Sequence, residues 1–451
     1  MKTTVPHKGN MIAIIAMFFL FAMISFVTNL AAPFGAIWRG SYHWSGMLGN
    51  MMNFLAYLFM GIPAGNLLVR IGYKKTALLA MVVGLVGLVL QYLSSLVGAD
   101  VEALTYAGKP IMLNFVIYLL GAFVCGFCVC MLNTVVNPML NLLGGGGNRG
   151  NQLIQMGGSL NSLTGTFTPL FVGMLVGSVT ASTSMADVAP LLWIAMGVFV
   201  VAFVIISLVS IPEPHIRRSG AVAKTRNAHS PWSFRHTVLG VVGIFFYVGL
   251  EVGIPGVLIF FLSDSEVSGI TQNALAVAGS VAAVYWLLML VGRLASSFVS
   301  KWVSSRTQLV TVTSVAILLI LLAIYTPADV TTSMPGYSVG HGFTMAQVPM
   351  SALFLVLCGL CTSVMWGGIF NLAVEGLGKY TAQASGIFMM MVVGGGVMPF
   401  IQEWLAGKIG YMSSYWLVVA MLLYLLYYGL LGSRNVNKDI PVDEAPDPRD
   451  L

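Results

Sequence analysis

The stretch CMLNTVVNPMLNLLG, residues 130–144, decides the reading of this chain, because it sets three asparagines into a run otherwise apolar enough to cross a membrane. Asn133, Asn137 and Asn141 recur every four residues, so on a helix they fall near one face, drifting by about 40° per step. Pro138 carries no N–H, which leaves the carbonyl of Thr134, four residues back, open to a side chain, water or a solute. Such a stripe has two uses: it can line a solute site, or it can hydrogen-bond to neighbouring helices.

Outward from this stretch, 58% of the 451 residues are hydrophobic and 8% charged, against about 25% charged in soluble domains. A crossing needs about 20 apolar residues. Stretches that qualify run from Met11 to Pro33, Gly46 to Val69, Thr76 to Leu96, Met112 to Leu143, Gln152 to Val179 and Pro190 to Ser210. They continue with Val238 to Leu262, Ala274 to Phe298, Leu309 to Tyr325, Ser351 to Ala373, Thr381 to Ala406 and Tyr415 to Leu431. The expected fold class is an all-α polytopic membrane protein with 12 transmembrane helices. The first stretch is too long for a signal-peptide core and lacks a small-residue cleavage site, so it reads as the first span.

With the N-terminus in the cytoplasm, 18 of the 21 Lys and Arg fall on that side, leaving Arg39, Lys109 and Lys408 outside. That asymmetry follows the positive-inside rule, so the net charge of +6 reports topology and no nucleic-acid partner is expected. Cys125, Cys128, Cys130, Cys358 and Cys361 all lie in apolar spans, which favours packing thiols over disulfides or a metal site. Trp38, Tyr42 and Trp44, just after the first span, are expected as interfacial anchors.

Amides recur inside the spans, at Asn29, Asn53, Asn133, Asn137, Gln155, Asn161, Asn371 and Gln402. Asn50, Asn53 and Tyr57 share a helical face expected to point inward. Tyr57, Tyr247, Trp286 and Trp366 can stack on the C–H faces of a sugar. Helix packing accounts for any one of these; so many amides on different helices are hard to satisfy pairwise without a wet cavity. Glu251, in FYVGLEVGIPG, is the clearest intramembrane acid. A lone buried carboxylate there can carry a proton, hold Na+ or serve as a structural hydrogen-bond partner. The sequence holds no Ser/His/Asp set, metal cluster or nucleotide loop, which argues against most enzymes and against an ATP-driven pump.

Residues 65–75, GNLLVRIGYKK, resemble the G-x-L-x-D-R-x-G-R-K loop of the major facilitator superfamily, with Gly65, Leu67, Arg70, Gly72 and Lys74 in register. Val69 stands where that pattern has its aspartate, so no gating salt bridge is carried over there. A looser second copy, GRLASSFVSKWVSSR at 292–306, places Arg293 at the turn expected between helices 8 and 9, where it reads with Gly65, Arg70, Gly72 and Lys74 as a cytoplasmic gating-loop residue. More specifically, LNTVVNP at 132–138 resembles LETAANP of the fucose/glucose-galactose permease family, Asn161-Ser162 its NS pair, and YVGLEV at 247–252 its YVGAEV. Residues 369–410 follow that family's helix 10 to helix 11 region, and Gly367-Gly368 replaces its Pro-Thr.

The resemblance implies two six-helix bundles, residues 1–211 and 235–432, joined by a basic cytoplasmic linker at 212–234 and followed by an acidic tail at 433–451, expected to be disordered. It also implies alternating access and uptake of a monosaccharide with a coupling cation. The binding residues expected from the polar and aromatic set are Asn29, Asn53, Asn133, Asn137, Gln155 and Asn161 in the N half, and Tyr247, Trp366, Asn371 and Gln402 in the C half. L-fucose permeases use a helix 1 aspartate and a helix 4 glutamate for proton coupling, and these fall on Asn29 and Asn133, which do not titrate. Coupling then rests on Glu251, or the cation is Na+, or the chain is an uncoupled facilitator. No cofactor is expected beyond a coupling H+ or Na+. The expected partners are the sugar and the lipid bilayer, for a monomer in a bacterial inner membrane with both termini cytoplasmic. Export of another polar solute, or sugar sensing without transport, are the alternatives.

Overall fold

Apolar runs of this length leave backbone N–H and C=O groups no partner in lipid except each other, and helices satisfy them within the run. The computed structural model describes residues 8–42, 45–106, 108–144, 147–176, 184–211, 230–270, 274–299, 302–338, 342–377, 380–437, 439–440 and 442. The N half holds α1 (Lys8–Ser41), α2 (Leu48–Leu68), α3 (Arg70–Leu93), α4 (Leu113–Leu143), α5 (Gly147–Val176) and α6 (Ala189–Leu208). The C half holds α7 (Arg235–Ser263), α8 (Ala274–Val299), α9 (Ser305–Tyr325), α10 (Met350–Val374), α11 (Thr381–Met391 and Gly394–Ile409) and α12 (Tyr411–Gly432).

Among the described residues, eleven helices are long and apolar enough to cross a membrane. The remaining long helix, α5, is diluted by Gln, Asn, Ser and Thr residues. α2 and α3 form one hydrogen-bonded run that reverses at Gly72, whose φ of +84° is a left-handed conformation that costs a side chain dearly.

The basic turns work inside their own halves. Lys74 Nζ donates to the carbonyls of Ser207 and Val209 at 2.7 and 2.8 Å, closing the C-terminal end of α6. Arg306 repeats this in the C half, donating through Nε to the Gly429 carbonyl at 2.9 Å and through Nη2 to the Leu430 carbonyl at the end of α12. Cations placed there satisfy the last carbonyls and the negative end of the helix dipole. Arg70 is exposed, and no atom approaches the Cβ position of Gly65 within 4 Å. This end is called the linker end below.

At the other end each half folds its third connection into an antiparallel hairpin, a departure from the all-helical expectation. β1 (Glu102–Tyr106) pairs with β2 (Lys109–Met112), and β3 (Thr331–Ser338) pairs with β4 (Gly342–Pro349). Met334 and Val348 are buried as the second hairpin packs onto α8 and α10. Trp38 and Tyr42 are not surface anchors: both are buried, with ring centroids 4.8 and 5.0 Å from that of Phe115, and Tyr42 Oη accepts the Met112 N–H at 2.9 Å. Trp44 and the side chain of Asn141 lie outside the described residues, as do linker residues 212–229 and tail residues 443–451. The start of the tail is ordered. Asn437 Oδ1 accepts the Arg235 N–H at 3.0 Å and so caps α7, and Ile440 and Val442 pack against the core.

The halves meet along two seams, α2 with α11 and α5 with α8. In the first, a Cβ on Gly396 would lie 3.0 Å from Met51 Cα, and one on Gly61 would lie 2.8 Å from the Met390 nitrogen. Backbones that close leave room only for hydrogen, the way small residues let helices approach in lipid.

Candidate functional site

The second seam carries the charge. Pro255 in α7 has no N–H to offer the Glu251 carbonyl four residues earlier, and the Tyr285 hydroxyl of α8 takes that carbonyl at 3.3 Å. Tyr285 Oη also lies 3.0 Å from Thr362 Oγ1 of α10, so three helices hold the Glu251 backbone in place. The Glu251 carboxylate accepts from Arg293 Nη2 at 3.0 Å. Arg293 Nη1 crosses to the N half and donates to the Gly158 carbonyl at 2.6 Å and Ser162 Oγ at 3.0 Å, both on α5.

Two expectations change here. Glu251 is not isolated, because a guanidinium neutralises it. Arg293 is not in a cytoplasmic turn: it is a buried residue within α8, at 7% exposure, and ties the halves together. Its planar fork suits this task, reaching a carboxylate and a carbonyl at once where a lysine would offer one point charge. The missed signal was the Asn161-Ser162 pair, since Ser162 and Gly158 lie one turn apart on one face of α5.

Around this ion pair the predicted binding residues divide. Tyr247, buried one turn before Glu251, has its ring 6.0 Å from that of Trp366 on α10. Gln155 of α5 reaches the neighbouring Gly367, where a Cβ would come within 2.4 Å of Gln155 Nε2. Ser162, Arg293 and Glu251 thus make one bonded chain from α5 to α7, with the Tyr247–Trp366 ring pair one turn before Glu251 and Gln155 reaching α10 from α5.

The asparagine stripe forms a second group within the N half. Asn133 Nδ2 donates to Tyr57 Oη at 2.8 Å, and Asn137 Nδ2 donates to the Asn133 carbonyl at 2.9 Å. On α1, Asn29 Nδ2 donates to the Ser25 carbonyl at 2.8 Å, while Ser25 Oγ reaches the Asn161 carbonyl at 2.5 Å. Asn371 is half-buried on α10.

Two expected residues sit apart. Asn53 turns into the N half, where its Oδ1 is buried without a partner beside a cavity of about 10 Å³ shared with Gln91 and Tyr118. Gln402 is fully buried against Gly253 of α7, with neither amide atom bonded. Asn50, expected on the face of Asn53 and Tyr57, instead crosses to α11 and donates through Nδ2 to the Gly395 carbonyl at 3.1 Å.

Residues 12–346 match the profile of the Major Facilitator Superfamily. The chain is 27% identical over 423 residues to the glucose/galactose transporter of Brucella abortus, covering 93% of each protein. It is 26% identical over 438 residues to a putative glucose/galactose transporter of Helicobacter pylori, covering 93% of this chain and 96% of that protein. It is 21% identical over 432 residues to the L-fucose-proton symporter of Escherichia coli, covering 90% and 89%. A crystal structure of a variant of the Escherichia coli fucose:proton symporter superposes with a TM-score of 0.70 at 16% identity, over 95% of this chain and 100% of that one. A structure of the same transporter in the outward conformation gives 0.68 at 16% identity, with the same coverage.

Proposed function

The chain belongs to the major facilitator superfamily, and we propose that it takes up a monosaccharide (a hexose, deoxyhexose or amino sugar) by alternating access, with Glu251 as the residue that couples uptake to a cation. It is a transporter and not an enzyme. The observation that carries the coupling assignment is the Glu251–Arg293 ion pair, whose arginine also holds the opposite half through Gly158 and Ser162. A proton on Glu251 leaves Arg293 without its counter-charge and changes the strength of a contact between halves. A driving cation and a change of shape then act on one group.

The names of the relatives support a sugar as solute, and the L-fucose-proton symporter favours H+ over Na+. The sugar's contacts on the N side are Asn29, Asn133, Asn137, Gln155 and Asn161; on the C side they are Tyr247, Trp366 and Asn371. Neutral amides suit a hydroxylated solute because they offer donors and acceptors without the desolvation cost of a charge. Residues 1–211 and 235–432 are the two moving bundles. The linker end faces the cytoplasm of a bacterial inner membrane, as the basic loops prefer.

Uptake of labelled monosaccharides into proteoliposomes, with H+ and Na+ gradients imposed separately, tests the reading. Accumulation driven by one gradient is the expected result, and no sugar flux under either gradient overturns it. Glu251→Gln is expected to lose accumulation while retaining exchange; full concentrative uptake by that variant removes Glu251 from coupling.

A further inference from the structure

We propose that Asn50 is a positioning residue of the transport cycle, the latch that closes the hairpin end by catching the Gly395 carbonyl. The proposal rests on the chain being an alternating-access transporter. Four observations carry it. The bond from Asn50 Nδ2 to the Gly395 carbonyl, 3.1 Å and buried, joins the two halves between residues 345 positions apart. Gly395 lies four residues before Pro399, which has no N–H to close the helical bond to that carbonyl. The carbonyl is therefore a built catch: a helix with any other residue at 399 would occupy it.

The catch sits on a jointed helix. α11 is interrupted at Val392–Val393, and its bonds tighten to an i→i−3 pattern, with Gly395 N donating to the Val392 carbonyl and Gly396 N to the Val393 carbonyl, each at 3.0 Å. Short stretches of this kind inside a long helix mark hinges. The segment before the joint packs through Met390 on Gly61 of α2; the segment after it packs on Met51 and Phe54 of the same helix through Gly395 and Gly396, and carries Gln402.

Gln402 supplies the fourth observation. It is completely buried with both amide atoms unbonded, a costly arrangement in a permanent core. Swinging the outer segment about Val392–Val393 breaks the Asn50 bond and brings that amide to water. The closed state thus holds one satisfied and one unsatisfied polar group on the same segment, and opening exchanges them. This keeps the two states near in free energy, as a cycling gate requires.

The test uses the full-length chain with its five native cysteines replaced by alanine and Gln402→Cys as a probe, labelled by a membrane-impermeant maleimide from either side of oriented vesicles. Asn50→Leu, which keeps the size but removes the donor, is expected to speed labelling from the hairpin side about fivefold, the population shift of one ordinary hydrogen bond. Pro399→Ala should act in the same direction by giving the carbonyl a helical partner, and Asn50→Gln should restore slow labelling. For uptake, Asn50→Leu is expected to lower both the half-saturating sugar concentration and the maximal rate. Unchanged labelling, or faster labelling from the linker side, overturns the proposal, with Met51→Cys as the second probe if Gln402→Cys does not express. Labelling needs no transported sugar, so its outcome is separate from that of the uptake experiment.

Discussion

The two seams between the halves are built from opposite materials. Where α5 meets α8, one guanidinium makes three bonds, to Glu251, Gly158 and Ser162, inside a membrane. Where α2 meets α11, glycines let the backbones approach closely, with the Asn50 bond added. Charge in a low dielectric is strong when paired and costly when not, so the first seam behaves as a switch with two definite settings. Dispersion between close-packed helices is a sum of small terms that can be given up gradually, so the second suits sliding and hinging. On the proposed function, the charged seam is the one that senses the cation and the close-packed seam the one that moves.

The largest effect is expected at the charged seam. Arg293→Gln leaves Glu251 partly buried and unpaired, a loss of up to about 3 kcal/mol in stability, read as a drop in detergent melting temperature. The double variant Glu251→Gln/Arg293→Gln should recover most of that stability without recovering accumulation. If it does recover accumulation, the seam holds the halves together and senses nothing.

At the close-packed seam, Gly61→Ala places a methyl 2.8 Å from the Met390 nitrogen and is expected to cost about 1–3 kcal/mol. It should slow uptake by hindering closure. Gly407→Ala, on the same α11 but with nothing within 4 Å of its Cβ position, should be neutral. Equal behaviour of the two would mean that the seam is not close-packed in the working transporter.

A smaller change, Tyr285→Phe, removes the bond to the Glu251 carbonyl and that to Thr362. We expect about 1 kcal/mol in stability and a shifted pH profile of uptake, since the acid's backbone is released. The smallest effects belong to the end caps that neither seam uses. Lys74→Ala and Arg306→Ala should each lower stability by about 0.5–1.5 kcal/mol and leave the half-saturating sugar concentration unchanged.

Much of the architecture was legible in the residues, because lipid permits few solutions: a run such as Ala189–Leu208 can hardly be anything but a spanning helix. The repeated basic turn was also visible, although not that its two cations bond the last carbonyls of α6 and α12. The site was legible in part. Glu251 stands out as an acid among apolar neighbours, but its partner does not, since Arg293 lies near the end of an apolar run where an arginine can equally snorkel to water. Only the packing of α8 against α5 decides between those fates. The Asn50 bond was hidden for a similar reason. Pro399 announces a free carbonyl at Gly395, yet nothing local says which helix supplies the donor. The β3–β4 hairpin was not legible because Pro335, Gly336 and Pro349 read as loop residues, and its strands pack on a floor that α8 and α10 provide.

The cap on α7 has a topological consequence. Asn437 lies one hydrogen bond from Arg235, so the C half begins and ends at the same place. A short bridge between those points, with the chain reopened at the turn of the β3–β4 hairpin, would give a circular permutant retaining every helix contact of that half. Seen this way, the half is a closed circuit of chain whose two ends meet at the linker end.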